Sequence, residues 1–457
     1  MKEALRSKVF GAATQRQARS ALKRIYEAAV GAAQPSRLLE RQIKISGHAL
    51  VIENDRGRTR FPLTGKVYLV GAGKGADLSA PVWQGLLNHR LHQGVFVVRD
   101  RPLRDRLERI SVSVAGHPLP DERGLMGTER CLQMVRRAGR NDGVIFFLMG
   151  GASSLLVQPA AGLTLADKRA VTVALLKSGM SIAEINCVRK HLSAIKAGGL
   201  LRAAYPARVI TLAISDVLDD DPTVIGSAPS FHDPTTFREA WKILAKYRLL
   251  DSLPKRVVSH LARGVQGEIP ETLKPGNALS SRSPFVVLAN NSDSLAAARS
   301  KAESLGFAAT VLAADLSGDA QTRAREICSK LKSFLSAKTA RRRPRCFLLG
   351  GETTVRVRGK GLGGRNQQFA LASAIALRGS RGLYLLSAAS DGSDGPTDAA
   401  GAFVDGDTFT QAKGLGLDPY HALRDNDSYH FFERLKDSFR PGPTGTNVLD
   451  FIIALVY

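Results

Sequence analysis

Short, mainly apolar runs recur along the chain, and glycine or polar residues follow each of them. The runs lie at 66–70, 144–149, 209–214, 285–289 and 346–349. A continuous apolar run of this length is typical of a strand that is buried on both faces of a sheet. Helical patterns separate the runs, and the pattern from Thr164 to Gly179 opens with the capping-box spacing of Thr164 and Asp167. Strands that alternate with helices predict an α/β fold.

The second half of the chain repeats the order of features in the first half. The segment FFLMGGASSLL at 146–156 is echoed by CFLLGGETTVR at 346–356, and the acidic turn after Ser215 is echoed after Ser390. A stretch at 264–284, rich in Gly, Pro and Ser, separates the halves. We therefore expect two α/β domains that each present a glycine turn and an acidic turn to one cleft between them. The predicted parts are a basic leader at 1–24, a first domain at 25–275 and a second domain at 285–457.

Composition and charge limit the function classes. The chain has 457 residues, 44% of them hydrophobic, and a formal net charge of +24. No apolar run is long enough to cross a bilayer, so no membrane partner is expected. The four cysteines are scattered without a CxxC pair, which argues against a disulfide framework or zinc site and for a reducing cytoplasm.

The positive charge suits nucleic acid, anionic lipid or a small anionic substrate. It is spread along the chain, and its one tight cluster, KTARRRPR at 338–345, is interpreted as an exposed loop. Because no known reader motif accompanies the cluster, a nucleic-acid partner is disfavoured.

The stretch from Cys346 to Gln368 has the composition of an anion site. Two glycines follow its apolar run, then an alternating segment at 353–358 predicts a strand with two arginines on one face. A glycine-rich loop comes next, and a helical run starts at Arg365 and Asn366. A glycine-rich loop that enters a helix N-terminus beside basic residues is suited to holding phosphate. The alternative is a glycine-rich hairpin with a solvated basic face.

A strand–turn–helix signature lies at 66–100. Its turn, GAGKGA at 71–76, fits the dinucleotide pattern G-x-G-x-x-A, and Asp100 follows the second strand. Lys74 inside the turn is a cation suited to a phosphate or a carboxylate, neither of which requires a nicotinamide. Three interpretations stay open: a dinucleotide site, a general anion-binding turn, and glycines that serve packing alone.

Other predicted strand ends also carry polar groups, and ligands of α/β proteins bind at such ends. The strand at 144–149 is followed by Gly-Gly-Ala-Ser-Ser at 150–154.

Two further segments hold candidate site residues. The loop at 115–124 holds His117, which is either a site residue or a structural group. The segment at 186–201 brings four basic residues together, with a solvated basic helix as the alternative. They are Arg189, Lys190, His191 and Lys196.

Two acidic turns are candidate metal sites. One follows the strand at 209–214 and holds Asp216 with three further aspartates at 219–221. The other lies at 391–401 and contains Asp391 and Asp394. One or two carboxylates together with substrate phosphates are the usual setting for Mg²⁺. A solvated acidic turn is the alternative.

The ordered set of motifs resembles the glycerate 2-kinase family, whose C-terminal part is called the MOFRL domain and whose members are often labelled hydroxypyruvate reductases. The resemblance runs from about residue 23 to the end of the chain. It is carried by VGAGKGA at 70–76, AGHPLPDERG at 115–124, GGASSLL at 150–156, VRKHLSAIKAGG at 188–199, ISDVLDDDPT at 214–223, GGETTVRVRGKGLGGRNQ at 350–367, SDGSDGPTDAAGA at 390–402 and GTNVLD at 445–450.

The resemblance implies two Rossmann-like α/β/α domains with the active site in the cleft between them. It implies ATP-dependent, Mg²⁺-requiring phosphorylation of D-glycerate at its 2-hydroxyl, which gives 2-phosphoglycerate. Lys74 and Arg365 are the implied catalytic cations, with Asp216 beside them to orient the hydroxyl or hold the metal. Asp391 and Asp394 are the alternative metal ligands. The remaining candidates for substrate or phosphate binding are Gly71, Gly73, Gly150, Gly151, Ser153, Ser154, Lys190, His191, Lys196, Gly351, Glu352, Thr353, Asn366 and Asn447.

The chain departs from the family pattern at a few positions that we expect to surround the site and to bear on its substrate. Ala197-Gly198-Gly199 stands where the family has Gly-Gly-Arg, so an arginine is missing. Asp219 and Ala228 stand where glycine is usual, and Gln368 stands where an acid is common.

Three functions are compatible with the sequence. The first is the glycerate kinase, a cytoplasmic enzyme whose partners are D-glycerate and ATP, with a homodimer left open. The second is an NAD(P)H-dependent hydroxypyruvate reductase, which the turn at 71–76 permits although no catalytic His or Tyr constellation accompanies it. The third is a non-catalytic protein that binds anions or nucleic acid, which the charge of +24 would suit.

Overall fold

The computed structural model describes residues 2–99, 107–117, 119–336 and 344–457, without the side chains of 2–13 and 336. Asp100 and most of the basic segment at 338–345 therefore lie outside the described residues. The strands are β1 (Ile43–Ser46), β2 (Ala49–Asn54), β3 (Gly57–Pro62), β4 (Val67–Ala72), β5 (Leu91–Val98), β6 (Ile110–Val114), β7 (Gly143–Leu148), β8 (Arg208–Ile214), β9 (Phe285–Ala289), β10 (Ala308–Asp319), β11 (Arg345–Thr354), β12 (Leu383–Ala389), β13 (Gly401–Asp405), β14 (Ser438–Phe439) and β15 (Asp450–Val456).

Helices connect most of these strands. They are α1 (Lys2–Ala32), α2 (Pro35–Gln42), α3 (Ala80–Leu87), α4 (Glu122–Val135), α5 (Ala152–Leu155), α6 (Leu165–Lys177), α7 (Ile182–His191), α8 (Gly199–Ala203), α9 (Phe237–Lys246), α10 (Lys255–Val265), α11 (Ala278–Ser281), α12 (Asn291–Ser304), α13 (Ala320–Ser336), α14 (Arg365–Ala376), α15 (Thr408–Gly414), α16 (Pro419–Arg424) and α17 (Ser428–Leu435). Each apolar run that predicted a strand forms one, and the capping box of Thr164 and Asp167 opens α6. The α/β fold class is confirmed.

The chain forms two compact units. The central unit comprises 35–288, and the terminal unit comprises 1–34 together with 289–457. The segment at 25–34, which the sequence placed in the first domain, thus belongs with the C-terminal part of the chain. Hydrophobic periodicity identifies the apolar face of a helix, but it does not identify the surface which that face will cover.

The central unit is built on a six-stranded sheet with the order β6-β5-β4-β7-β8-β9. β4 pairs in parallel with both β5 and β7, so the chain moves outward in opposite directions from β4. Such a reversal of strand order opens a crevice at the carboxyl ends of the two central strands, where α/β proteins bind ligands. A separate antiparallel sheet contains β1, β2 and β3.

Both faces of the central sheet are covered by helices. Phe146 packs into a core with Cys131 of α4 and Leu200 of α8. Phe147 points the opposite way and lies edge-on to Trp83 of α3, with ring centroids 5.8 Å apart. The alternation of neighbouring side chains along β7 therefore explains why its whole run is apolar.

The sheet of the terminal unit is mixed, with the order β10-β11-β15-β12-β13-β14. β10 and β11 are parallel, whereas β15 is antiparallel to both of its neighbours, β11 and β12. This unit has the α/β composition that the sequence predicted, but its sheet is not the parallel one of a Rossmann domain. The difference arises because the last strand of the chain inserts between β11 and β12.

Helix α1 is part of the terminal unit. The Tyr26 ring lies edge-on to Phe439 and Phe451, with centroids 4.9 and 6.1 Å away. Its hydroxyl donates a hydrogen bond of 2.7 Å to the carbonyl of Ala389, at the end of β12. Nearer the start of the helix, the Arg19 guanidinium lies 2.5 Å from Asp437. The segment predicted as a leader is therefore helical, and Arg19 and the buried Leu22 within it belong to the packing of the terminal unit.

None of the described helices combines the length and the apolar character that a membrane crossing requires.

Candidate active site

The two glycine turns predicted in the central unit lie side by side. β4 ends at Ala72 and β7 ends at Leu148, and the strands are neighbours in the sheet. The amide of Met149 donates to the carbonyl of Ala72 over 2.8 Å, and the amide of Lys74 donates to the carbonyl of Gly150 over 2.9 Å. The turns that contain Gly73, Gly150 and Gly151 therefore lie together at the carboxyl edge of the sheet, whereas Gly71 is buried within β4.

Close backbone approach explains why two of these positions are glycine. Gly73 has φ +137°, and a Cβ atom there would lie 2.6 Å from the Cβ of Met149. Gly151 has φ +88°, and a Cβ atom there would lie 3.3 Å from both the His117 ring and the Cγ of Lys74. L side chains are disfavoured at such φ values. The geometry also places the side chains of Lys74 and His117 next to Gly151.

A pocket of about 180 Å³ opens beside Gly151. Asp216 reaches it from the end of β8, as the sequence predicted, and Ser153 reaches it from α5. Two further polar residues of α7, Asn186 and Arg189, also line the pocket. Arg189 is one of the four basic residues that the sequence singled out at 186–201, whereas Asn186 was not selected, although it lies three positions before Arg189 and thus on the same helical face. Burial lowers the pKa of Arg189.

A chain of hydrogen bonds includes two residues that line this pocket, Ser153 and Ser227. The Nζ of Lys196 lies 2.5 Å from the carbonyl oxygen and 3.1 Å from the hydroxyl of Ser153. The hydroxyls of Ser153 and Ser227 are 2.7 Å apart. Ser154 is turned back, and its hydroxyl donates to the carbonyl of Gly151 over 3.1 Å. Of the two serines predicted from the sequence, only Ser153 takes part in these side-chain hydrogen bonds with Lys196 and Ser227. Ser227 was not identified as a site residue from the sequence.

Lys190 and His191 do not join this pocket. Lys190 forms a buried ion pair with Asp233, with 3.1 Å between Nζ and Oδ1. The His191 Nε2 lies 3.3 Å from Glu271, and its Nδ1 lies 2.8 Å from the carbonyl of Cys187. Both residues border a larger cavity of about 550 Å³. Helix α7 ends at His191, so the single helix that the sequence suggested through 201 does not form.

In the terminal unit, Arg365 is the centre of the predicted constellation. It is the first residue of α14 and about one-third exposed. Its Nε and Nη2 lie 2.5 and 3.0 Å from the two carboxylate oxygens of Asp450. Its Nη1 lies 2.6 Å from Glu352. Burial alone would lower the pKa of Arg365. The negative charges of Asp450 and then of Glu352 have the larger combined effect, so the pKa of Arg365 is raised above its usual value.

The topology of the mixed sheet explains this meeting. Asp450 is the first residue of β15 and pairs with Gly351 on β11 and with Ala389 on β12. Because β15 is antiparallel to both neighbours, its first residue lies at the edge where β11 and β12 end. The sequence motif GTNVLD contained Asp450, but no local pattern connected it to Arg365.

Asp394 acts as a cap for helix α14. Its Oδ1 accepts a hydrogen bond of 3.1 Å from the amide of Asn366, and its Oδ2 accepts one of 2.8 Å from the amide of Gln367. Burial raises the pKa of Asp394 to about 6, although the two amides act in the opposite direction. Both oxygens thus serve the helix N-terminus, which favours a structural role.

The other candidates of this unit lie near the ends of β11 and β12. The carboxylate of Asp391 accepts from the amide of Ser393 over 3.0 Å. The Asn447 amide oxygen is 3.4 Å from the hydroxyl of Ser390, which directly precedes Asp391. Thr353 is buried within β11. Among the residues that the structure describes, no group of three or more His, Cys, Asp or Glu side chains is arranged to hold a metal.

The expected strand at 353–358 is wrong beyond Thr354, where β11 ends. The backbone amides of Arg358 and Gly359 donate to the side chain of Asn426 over 2.7 and 3.1 Å, and not to a neighbouring strand. Arg356 and Arg358 are exposed. The echoed motifs also differ locally, because Gly-Gly-Ala-Ser-Ser turns into the short helix α5 whereas Gly-Gly-Glu-Thr-Thr continues β11.

The departures from the family pattern fall in different environments. Ala197 and Ala228 have φ values of +52° and +55°, in the left-handed region. They are adjacent, since the amide of Gly198 donates to the carbonyl of Ala228 over 2.7 Å. Asp219 is exposed. Gln368 is buried and donates to the carbonyl of Leu423 in α16 over 3.3 Å, so the expectation that it lies around the site is not supported by its contacts.

Comparison with known proteins agrees with these motifs. Residues 21–262 match the family described as Domain of unknown function (DUF4147), and residues 345–450 match the MOFRL family. A protein from Thermotoga maritima named D-glycerate 2-kinase is 39% identical over 391 residues, covering 86% of this chain and 91% of the relative. A protein from Agrobacterium vitis, provisionally named a hydroxypyruvate reductase, is 38% identical over 441 residues, covering 96% of this chain and 94% of the relative.

The fold is also similar to that of a solved protein. The crystal structure of the glycerate kinase from Thermotoga maritima has a TM-score of 0.80 and 35% sequence identity to this chain, and the similarity covers 97% of this chain and 100% of that one. The resemblance inferred from the sequence motifs is confirmed, and the chain belongs to the glycerate 2-kinase family with a C-terminal MOFRL domain.

Proposed function

We propose that this protein transfers the γ-phosphoryl group of ATP to the 2-hydroxyl of D-glycerate and so forms 2-phosphoglycerate. The observation that carries the proposal is the position of Lys74 beside Gly151, where the strand order of the central sheet reverses. A cation next to a glycine turn at this edge suits an anionic substrate. The family membership supplies the reaction class.

In the central unit, the pocket beside Gly151 would take the glycerate. Arg189 is the group suited to the carboxylate, because a guanidinium pairs with a carboxylate in a planar, bidentate fashion. Asp216 lines the same pocket and would accept the hydrogen bond of the 2-hydroxyl, which orients that oxygen for attack. Lys74 would then offset the charge that develops on the transferring phosphoryl group.

In the terminal unit, Arg365 would contribute a second positive charge. Its guanidinium is fixed by Asp450 and Glu352 while about one-third of the side chain stays exposed. A charge that is already held in place stabilises a transition state without reorganisation at the moment of reaction. We propose that Arg365 acts in the same reaction as Lys74.

Mg²⁺ is part of the proposal, because phosphoryl transfer from ATP uses a metal bound to phosphate oxygens. When bound, it would neutralise the charge of the phosphates. Asp391 suits it better than Asp394, since both oxygens of Asp394 already accept from the N-terminus of α14. A site made of one or two carboxylates and substrate phosphates also fits the lack of a larger ligand cluster among the described residues.

The test is a direct assay of the purified protein with D-glycerate, ATP and Mg²⁺. We expect ADP release that depends on D-glycerate, and ³¹P NMR should identify the product as 2-phosphoglycerate and distinguish it from the 3-isomer. The same preparation is assayed with hydroxypyruvate and NADH or NADPH. Nicotinamide oxidation without ATP consumption would replace the kinase with the reductase. Turnover in neither assay, with salt-sensitive binding of DNA, would favour a non-catalytic binding protein.

A further inference from the structure

Lys196, Ser153 and Ser227 have the arrangement of an activated nucleophile. The Lys196 Nζ lies 3.1 Å from the Ser153 hydroxyl, and the Ser227 hydroxyl lies 2.7 Å from it on the other side. A serine hydroxyl within hydrogen-bond reach of a base is part of the general signature of covalent catalysis, and here the base also contacts the carbonyl of the same serine. Phosphoryl transfer from ATP to an alcohol requires no such serine.

We propose that Ser153 is a nucleophile with Lys196 as its general base, and that the pocket beside Gly151 therefore also accepts small carboxylate-bearing esters and hydrolyses them. This activity goes beyond the proposed kinase function and does not rest on it, because neither ATP nor glycerate takes part.

The position of Ser153 suits this role. It follows the tight turn at Gly151, where φ is +88°, and it is the second residue of α5. A sharp turn from a strand into a helix projects a side chain above the edge of the sheet. Both Ser153 and Ser227 line the pocket, but Ser153 is partly exposed whereas Ser227 is only 1% exposed. Ser153 is therefore the member of the chain that a substrate can reach.

The environment of Lys196 favours the neutral amine that a base requires. The residue is only 2% exposed. Burial lowers the pKa of Lys196 well below its ordinary value, and nearby cations act in the same direction, namely Arg189, Lys168 and Lys190. A neutral amine can donate to the Ser153 carbonyl, 2.5 Å away, while its lone pair accepts the Ser153 hydroxyl proton.

The remaining groups complete the site. The Ser227 hydroxyl can donate a hydrogen bond to the Ser153 oxygen. This bond would stabilise the negative charge that forms on the Ser153 oxygen as the Ser153 proton passes to Lys196. The backbone of Ser227 is held at φ +62°, a conformation that L residues rarely adopt, and its hydroxyl also lies 3.5 Å from Asn186. Residues with a strained backbone, such as Ser227, are concentrated at functional sites. Arg189 lines the pocket and would bind the carboxylate of the ester.

The step conserves atoms and charge. The Ser153 oxygen forms a bond to the acyl carbon, its proton passes to the Lys196 amine, and the bond from the acyl carbon to the alcohol oxygen breaks. The Lys196 ammonium returns the proton to the departing alkoxide. Water then attacks the acyl-serine in the same manner and releases the acid, so ester and water are the only reactants.

The experiment uses p-nitrophenyl acetate and mono-p-nitrophenyl succinate as probes with the full chain, without ATP. We expect release of p-nitrophenolate, faster for the succinate ester because it carries a carboxylate, and an acylated Ser153 peptide by mass spectrometry. Ser153→Ala should abolish the adduct. Lys196→Arg keeps a long cationic side chain but cannot act as a base, and it should slow acylation by about 100-fold. Ser154→Ala, on the same turn, is the matched control and should retain acylation.

Circular dichroism of each variant keeps the test interpretable. A folded wild-type protein without an acyl-Ser153 peptide would overturn the proposal. Equal acylation of Ser153 in wild type and folded Lys196→Arg would overturn the assignment of the base, and with it the proposed dyad. If Lys196→Arg does not fold, the wild-type adduct and its loss in Ser153→Ala decide whether Ser153 is the nucleophile, and Ser227→Ala should slow its formation.

Discussion

Arg365 and Asp450 form a bidentate ion pair, in which the guanidinium Nε and Nη2 lie 2.5 and 3.0 Å from the two carboxylate oxygens. Asp450 is buried, whereas Arg365 is about one-third exposed. The buried partner thus fixes the orientation of a charge that solvent or a substrate can reach. This relationship makes Asp450 a positioning residue for the proposed phosphoryl transfer.

The substitution Asp450→Asn should therefore reduce catalysis without preventing folding. It preserves the size of the side chain but removes the charge that orients Arg365, and we expect kcat to fall by about 10- to 100-fold with little change in KM. Steady-state kinetics with D-glycerate and ATP measure this, with circular dichroism as the check on folding.

The matched control is Glu352→Gln. Glu352 contacts the same guanidinium through Nη1, but it is about 44% exposed, so its ion pair is screened by solvent. A loss of kcat in Glu352→Gln as large as that in Asp450→Asn would contradict the special role of the buried partner.

Lys74 and Arg365 are predicted to act together on the transferring phosphoryl group. Lys74→Ala and Arg365→Ala should each lower kcat by about 100-fold or more. The double variant should lose less than the product of the two factors, because residues that act as a unit are non-additive. If the loss of kcat in the double variant equals the product of the two single losses, the two cations act independently. If both single variants keep full activity, Lys74 and Arg365 are not the catalytic cations.

The left-handed conformation of Ala228 and Ala197 should cost stability. An L residue in this region is disfavoured by about 1–2 kcal/mol, and glycine is free of that penalty although its unfolded chain is more flexible. Ala228→Gly and Ala197→Gly should each raise the free energy of unfolding by about 1 kcal/mol, which urea denaturation can measure.

The matched control for both is Ala170→Gly. Ala170 is exposed in the interior of helix α6, where glycine is unfavourable, and this variant should lose about 1 kcal/mol. If Ala228→Gly loses as much stability as Ala170→Gly, backbone strain at Ala228 is not the dominant effect.

Lys168 should make stability depend on pH. Burial, and then the charge of Arg189, lower the pKa of Lys168 from 10.5 to about 7. Between these values the folded protein holds the neutral amine while the unfolded chain holds the ammonium, so the unfolded state binds more protons. Stability from this group therefore rises as pH increases from about 7 towards 10, with a slope of at most about 1.4 kcal/mol per pH unit.

Urea denaturation of wild type and Lys168→Met at pH 7, 8 and 9 isolates this contribution. The variant cannot titrate at this position, so the difference in unfolding free energy, wild type minus variant, should increase with pH. A difference that stays constant would show that Lys168 keeps its ordinary pKa in the folded protein.

Much of the local structure followed from the sequence pattern. The apolar run and glycine turn at 66–76 predicted β4 and its loop, and the capping box at Thr164 predicted the start of α6. The helix that begins at Arg365 was also predicted correctly. These features depend on residues close together in the chain, where spacing and turn chemistry are sufficient.

Part of the candidate site could not be derived in this way. The partner of Arg365 is 85 residues away in the chain, and only the antiparallel insertion of β15 brings Asp450 to it. The hydrogen bonds that connect Lys196, Ser153 and Ser227 likewise join residues of separate sequence motifs. Gln368 was expected near the site because it stands where the family motif commonly has an acid, but it is buried and contacts Leu423.

The sequence by itself determined the α/β class, the positions of the buried strands, the glycine turns and the family, since each of these depends on contiguous residues. Tertiary structure alone decided that α1 joins the C-terminal part of the chain and that the second sheet is mixed. It also decided which charges meet: Arg365 with Asp450, and Lys190 with Asp233 away from the pocket of Asp216. The physical reason is that an ion pair depends on distance and burial in three dimensions, and the order of strands in a sheet is not contained in the pattern of any single strand.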